Sequence, residues 1–178
     1  MSVEEYLRLE EKSAQKHEYV GGFVYPLHGQ AGASEPHVLI GGNIFGVLYQ
    51  DAMRAGCRLY QSDMKLRVED TTSFFSPNVM LVCDQHDTDR QAKTSPCLRV
   101  EVLSPSPASH DRVGKYGVYT AIPSLQSYLL VSQEGRYVVE YQRREGGWQM
   151  REHREGGEVG VPCLDCTLTL DEMYRAVL

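Results

Sequence analysis

The chain has no long hydrophobic run. Its longest aliphatic stretches, such as Val79-Met80-Leu81-Val82-Cys83, are far shorter than the roughly 18 apolar residues a membrane helix needs. A spanning helix is excluded. The first residues, Met1-Ser2-Val3-Glu4-Glu5, lack the basic and apolar blocks of a secretory signal, and the 5 cysteines cannot all pair within one chain. A reducing cytoplasm is the expected setting. Positive charge is also in short supply: 18 basic residues against 24 acidic ones give a formal charge of -6. No uniformly basic face or tail is therefore available to coat nucleic acid passively. A negative total does not exclude enzymes that act on a polyanion, because these need only a local basic groove beside a cluster of carboxylates.

Repeats, low-complexity tracts and linkers are missing too, while 42% apolar and 24% charged residues suit one α/β domain spanning 1–178. Ser2 followed by Glu5 forms a capping box, and the helix it opens is predicted to end near Ser13. Glu18-Tyr19-Val20 and Phe23-Val24-Tyr25, separated by Gly21-Gly22, read as a hairpin. A second helix is predicted from Ser34 to Ala55, where Ile40, Ile44, Val47 and Leu48 share a face and Gly56 ends the run. Gly41, Gly42 and Gly46 weaken it by about 1 kcal/mol each relative to alanine, which predicts close packing on a sheet.

Beyond Gly56 the period changes. Residues 57–60, 64–68, 79–83, 98–103 and 128–131 read as the strands of a core sheet, with a helix over 109–121 making a parallel crossover between the last two. Residues 136–143 and 148–153 read as an antiparallel hairpin with one wet face. Thr169 and Glu172 form another capping box, opening a final helix that carries Met173, Tyr174 and Val177.

Glu101 is the first functional candidate, because it interrupts Leu98-Arg99-Val100-Glu101-Val102-Leu103, which otherwise reads as a buried strand. A carboxylate placed there must pair with a base, accept several hydrogen bonds or bind a cation. Ser104-Pro105-Ser106-Pro107 then breaks the strand at its carboxyl end, the usual position of sites in open α/β sheets. Asp111 and Lys115 follow at i,i+4 spacing, which by itself describes a surface ion pair. Ser76-Pro77-Asn78 before the strand at Val79 is, by itself, ordinary turn chemistry.

Other signals are weaker. Cys163-Leu164-Asp165-Cys166 is a CxxC, but zinc needs four ligands and no second CxxC occurs. A zinc-bound interaction module on Cys163 and Cys166 is the third-ranked reading. His86, Asp87 and Asp89 fall in a segment, 85–96, that reads as a solvated loop. His37 opens the second helix, where an imidazole suits an anion as well as packing. Lys65 and Arg67 alternate with apolar residues, so both lie on one strand face, which is either part of a DNA groove or simply solvated.

Together these residues resemble the Uma2-like family, a branch of the PD-(D/E)xK nuclease superfamily. The likeness covers nearly the whole chain. It rests on Glu4-Glu5-Tyr6-Leu7, Lys16-His17-Glu18-Tyr19-Val20 with Gly22, Ser62-Asp63-Met64-Lys65-Leu66-Arg67-Val68 and Ser76-Pro77-Asn78-Val79. Above all it rests on Val100-Glu101-Val102-Leu103-Ser104-Pro105-Ser106 followed by Asp111, Lys115 and Tyr119. Ile122-Pro123-Ser124-Leu125 and Gly147-Trp148 also match the family.

The resemblance implies a restriction-endonuclease-like core, a mixed central sheet flanked by helices with hairpins at both ends. It also implies a DNA-cutting site that uses Mg²⁺, with Mn²⁺ as a substitute. Glu101, Asn78 and Glu18 would be metal ligands and Lys115 the catalytic lysine, with Asp111 and Ser104 auxiliary. Lys65, Arg67 and His37 would contact nucleic acid. A homodimer is the family-level expectation, because cutting two strands is convenient with two sites. The superfamily's lysine two residues after the glutamate is Leu103 here, and the family's replacement on the next helix matches Lys115. The family's aspartate after proline is Asn78, which removes one negative charge from the metal site. Asp84 is six strand residues further on, about 20 Å at roughly 3.3 Å per residue, and cannot substitute. The runner-up reading is an impaired nuclease fold that binds nucleic acid or protein without cutting.

Overall fold

A computed structural model describes residues 1–27, 34–103 and 109–177, with the backbone alone over 109–114. The capping box forms as its spacing predicts. Ser2 Oγ accepts from Glu5 N–H and the Glu5 carboxylate accepts from Ser2 N–H, starting α1 (Val3–Lys12). Buried Tyr6 anchors this helix by donating to the carbonyl of His17 at 2.8 Å. Next comes the hairpin of β1 (His17–Val20) and β2 (Phe23–Pro26), whose turn needs positive φ at both Gly21 and Gly22. Ser34 then caps α2 (Glu35–Arg54), and Gly56, at φ +71°, turns the chain out of it.

Two sheets divide the strands. β3 (Arg58–Gln61), β6 (Val79–Val82), β8 (Leu98–Leu103), β9 (Ser127–Ser132), β10 (Tyr137–Arg144) and β11 (Gly147–Arg154) build one, in the order β11-β10-β9-β8-β6-β3. Its pairs are antiparallel except β8 and β9, which are parallel and joined by α3 (Ser109–Thr120). The other sheet has the order β2-β1-β5-β4-β7, with β4 (Lys65–Val68), β5 (Ser73–Phe75) and β7 (Ala92–Lys93). A small antiparallel pair, β12 (Glu158–Val161) and β13 (Cys166–Thr169), is joined by a 3-10 turn at Pro162–Leu164.

Several sequence expectations need correction. The strand at 64–68 is not in the core sheet: Ser62 takes φ 45°, the chain leaves the first sheet after β3, and β4 pairs with β5 and β7 in the second. Segment 85–96 is not a plain solvated loop. Asp87 is buried, accepting the N–H groups of Thr94 and Ser95 at 2.8 and 2.9 Å, and the short β7 lies within the segment. The final helix is a single turn, α4 (Leu170–Met173), because Tyr174 caps it and sends its hydroxyl to the carbonyl of Ser132 at 2.7 Å. Disulfides join Cys57 to Cys83 and Cys97 to Cys163, leaving Cys166 as a thiol. The odd cysteine count correctly leaves one unpaired and says nothing about the other four.

Close packing does not explain the α2 glycines either, since a Cβ added at Gly41, Gly42 or Gly46 meets nothing within 4 Å. Gly42 and Gly46 are exposed. Gly42→Ala and Gly46→Ala are therefore each expected to raise stability by about 0.5–1 kcal/mol in urea unfolding, through lower unfolded-chain entropy and better helix propensity. A loss of stability in either variant would show an undetected neighbour.

Strand alternation sorts the core. Leu98, Val100 and Val102 face one way and pack with Ile40, Ile44 and Leu48 of α2 and with Val159 and Leu168 of the small pair. Arg99, Glu101 and Leu103 face the other way, toward a second apolar cluster that holds Leu66 and Phe75 of the second sheet and Tyr119 of α3. The polar residues of β8 therefore point into the space between the two sheets. No described helix is long and apolar enough to cross a membrane.

Candidate active site

Glu101 has the bases that its burial demands. Its carboxylate, 16% exposed, takes a hydrogen bond from Arg99 Nη2, and Lys115 Nζ lies 3.7 Å from Oε1. Residues two apart on a strand share a face, so the Arg99 contact comes from β8 itself, whereas Lys115 reaches in from α3. Burial pushes the Glu101 carboxyl up, but the adjacent Arg99 and Lys115 charges outweigh it and hold the group below its ordinary range. Glu101 is an ionised carboxylate near neutral pH.

The second sheet supplies another. Glu18 on β1 is 7% exposed, and its carboxylate oxygens lie 3.1 and 2.9 Å from Lys115 Nζ. Burial pushes its carboxyl up, Lys115 pulls it down and Glu101 raises it again, leaving it above the ordinary carboxylate range. Glu18, Lys115, Glu101 and Arg99 thus alternate in sign across the gap between the sheets. Phe75, Tyr119 and Tyr128 wall this row: the Arg99 guanidinium stacks 3.4 Å from the centre of the Tyr119 ring and Lys115 Nζ lies 5.7 Å from that of Phe75. Apolar walls raise the strength of every interaction inside the row.

Asn78 is placed beside this row by the register, since Val79 pairs with Val100 and Asn78 N–H donates to the Val100 carbonyl at 3.1 Å. Its amide is already engaged. Val102 N–H donates to Asn78 Oδ1 at 2.8 Å, and Asn78 Nδ2 donates to His37 Nε2 at 2.9 Å. Burial holds the His37 imidazole below its ordinary range, which keeps the ring neutral and able to accept.

The structure therefore brings together Glu18, Glu101 and Lys115, and places His37 against Asn78, the residue just before β6, which pairs with β8. Lys65 and Arg67 are elsewhere, on the opposite face of β4 from Leu66 and Val68. Lys65 Nζ pairs with Glu10 Oε2 of α1 at 3.2 Å, and Arg67 lies over the Phe74 ring at 5.8 Å. Ser104 lies outside the described residues, as does the Asp111 side chain with its expected pairing to Lys115. Sequence reasoning missed Arg99. Its signal was its position two residues before Glu101 on the same strand, which makes it the nearest available base. The aromatic walls gave no such signal, because Phe75 and Tyr119 meet only through tertiary packing.

Comparison with known proteins gives the family and the fold. Residues 3–171 match the Uma2 family, described as "Putative restriction endonuclease". An uncharacterised protein of Synechocystis sp. is 32% identical over 99% of this chain and 93% of its own length. A second from the same organism is 35% identical over 80% of this chain and 81% of its own. Among solved structures, a "putative nuclease belonging to DUF820" from Anabaena variabilis superposes with a TM-score of 0.79 at 14% identity, covering 100% of this chain and 99% of that one. That likeness establishes the shared fold, a mixed sheet flanked by helices. With 169 of its residues matched end to end and two relatives above the 30% level, the chain belongs to the Uma2 family of restriction-endonuclease-like proteins.

Proposed function

We propose that the chain is an endonuclease that hydrolyses DNA phosphodiester bonds with the help of a divalent cation, Mg²⁺ or Mn²⁺. The observation that carries this reading is the pair of carboxylates, Glu18 buried and Glu101 partly buried, held on either side of Lys115 between the two sheets. The donors fit a hard cation: two carboxylates and the Asn78 amide oxygen are the oxygen ligands Mg²⁺ prefers, and no soft ligand is among them. Glu101, Glu18 and Asn78 would hold it. When bound, such a cation supplies activation of water and neutralisation of phosphate charge.

The chain's own residues do the rest. Arg99 keeps Glu101 ionised and fixes its rotamer, so the ligand is ready without rearrangement. Lys115 carries protons at Nζ that suit a phosphate oxygen, and Glu18 orients that ammonium. His37, through Asn78, and the more distant Lys65 and Arg67 would flank the nucleic acid. A cytoplasmic setting, one functional unit over 1–178 and a homodimer belong to the same reading.

One observation favours a weaker enzyme or a binding module. Asn78 Oδ1 is already an acceptor for Val102 N–H, so it offers a cation a neutral oxygen with only one lone pair left. Plasmid cleavage with Mg²⁺ and with Mn²⁺ tests both readings. Asn78→Asp restores a charged ligand while keeping an acceptor for Val102 N–H, and cleavage is expected to rise about tenfold or more, each tenfold corresponding to ~1.4 kcal/mol. Cleavage by the wild type that persists in chelator would sink the metal-dependent reading. Activity confined to Asn78→Asp would select the binding module.

A further inference from the structure

Cys57, Cys83, Cys97 and Cys163 come from four separate places in the sequence and meet at one end of the six-stranded sheet. Cys57 precedes β3, Cys83 follows β6, Cys97 precedes β8 and Cys163 sits in the turn after β12. Cys83 and Asn78 flank β6 at its opposite ends, Cys97 precedes β8 while Glu101 is the fourth residue along it, and the candidate active site uses none of the four cysteines. The two disulfides are in contact: Cys83 Sγ lies 3.7 Å from Cys97 Sγ, and the sulfurs of Cys83, Cys97 and Cys163 all fall within 4.8 Å of one another. Cys57 is bonded to the first of these and stands outside the group of three, so as a fourth ligand its Sγ would turn inward once the bond to Cys83 is reduced.

We propose that in the reduced protein these four sulfurs are the thiolate ligands of a single soft divalent cation, with Zn²⁺ the best fit. Zinc–sulfur bonds of about 2.3 Å in a tetrahedron place sulfurs about 3.8 Å apart. The 3.7 Å contact between the disulfides already has that edge length. Two independent staples have no need to touch, whereas four ligands of one ion must. The surroundings suit a closed site: Cys57 and Cys97 are buried, and Leu81, Leu98 and Val161 of the same cluster exclude water.

The two disulfides are then the oxidised, metal-free form. Each is reduced by a thiol reductant, RSSR + 2 R′SH giving two protein thiols and R′SSR′, and the four thiols release protons as the cation binds. The ion ties the ends of β3, β6 and β8 to the C-terminal β12–β13 pair. Cys166 is not a ligand, so the site is distinct from one built on the CxxC motif.

Full-length protein reduced with a phosphine, loaded with Zn²⁺ and freed of excess provides the test. One zinc per chain is expected, with four thiols shielded from a thiol-specific reagent until a strong chelator is added. Co²⁺ loaded in its place should give the intense visible bands of a tetrahedral thiolate complex. Cys57→Ser and Cys97→Ser should lose stoichiometric zinc, and Cys166→Ser should keep it. Trace zinc in the reduced wild type would overturn the proposal, as would zinc lost in Cys166→Ser but kept in Cys57→Ser. If the ligand variants fail to fold, the wild-type thiol count decides: fewer than four shielded thiols refutes the site.

Discussion

Arg99→Met is expected to cost about 3–5 kcal/mol of folding stability, the range for removing one partner of a buried ion pair. The substitution nearly preserves volume, so little of the loss comes from a cavity. Arg99 is 0% exposed, and among the described residues its Nε and Nη1 have no hydrogen-bond acceptor, so Glu101 and the aromatic rings are what compensate its desolvation. The ring faces contribute materially, since a desolvated cation–π contact is worth about 2 kcal/mol. With Arg99 gone, Glu101 loses its hydrogen-bonded cation, and the Lys115 ammonium 3.7 Å away is already shared with Glu18. Urea unfolding with an unchanged slope would give the loss directly from the midpoint. A cost below about 1 kcal/mol would mean that Glu101 is solvated, contrary to its place between the sheets.

Arg99 also marks where reading the sequence stops short. That Glu101 needed a partner followed from the strand pattern, and the partner lay two residues away, but nothing in a one-dimensional pattern says which face of β8 is walled by aromatics. The capped ends of α1 and α2 and the two hairpins were legible because each depends on residues within four positions of one another. The second sheet was not, because β1 meets β5 and β4 meets β7 through contacts distant in sequence. That separation explains why the pairing of Lys65 with Glu10 could not be foreseen, and why Glu18 needed the family resemblance to reach the site at all. The meeting of Cys57, Cys83, Cys97 and Cys163 was invisible for the same reason, since they lie in separate segments and the local spacing pointed to Cys166 as the neighbour of Cys163.

Glu101→Gln should lower metal-dependent cleavage by about 100-fold or more, the usual effect of deleting one preorganised charged group at a reacting phosphate or oxyanion. Stability falls too, because the amide removes the negative charge that Arg99 hydrogen-bonds, so a loss of activity alone is ambiguous. The double variant Arg99→Met/Glu101→Gln separates the two effects. Removing both charges should destabilise by less than the sum of the single variants, with a coupling of about 1–3 kcal/mol between these hydrogen-bonded neighbours. Cleavage, measured well below each variant's melting temperature, should stay at the level of Glu101→Gln. Stability that recovers while activity does not places Glu101 in the chemistry rather than in the core alone. If both recover together, Glu101 serves the fold only, and the metal site has to be sought on other residues.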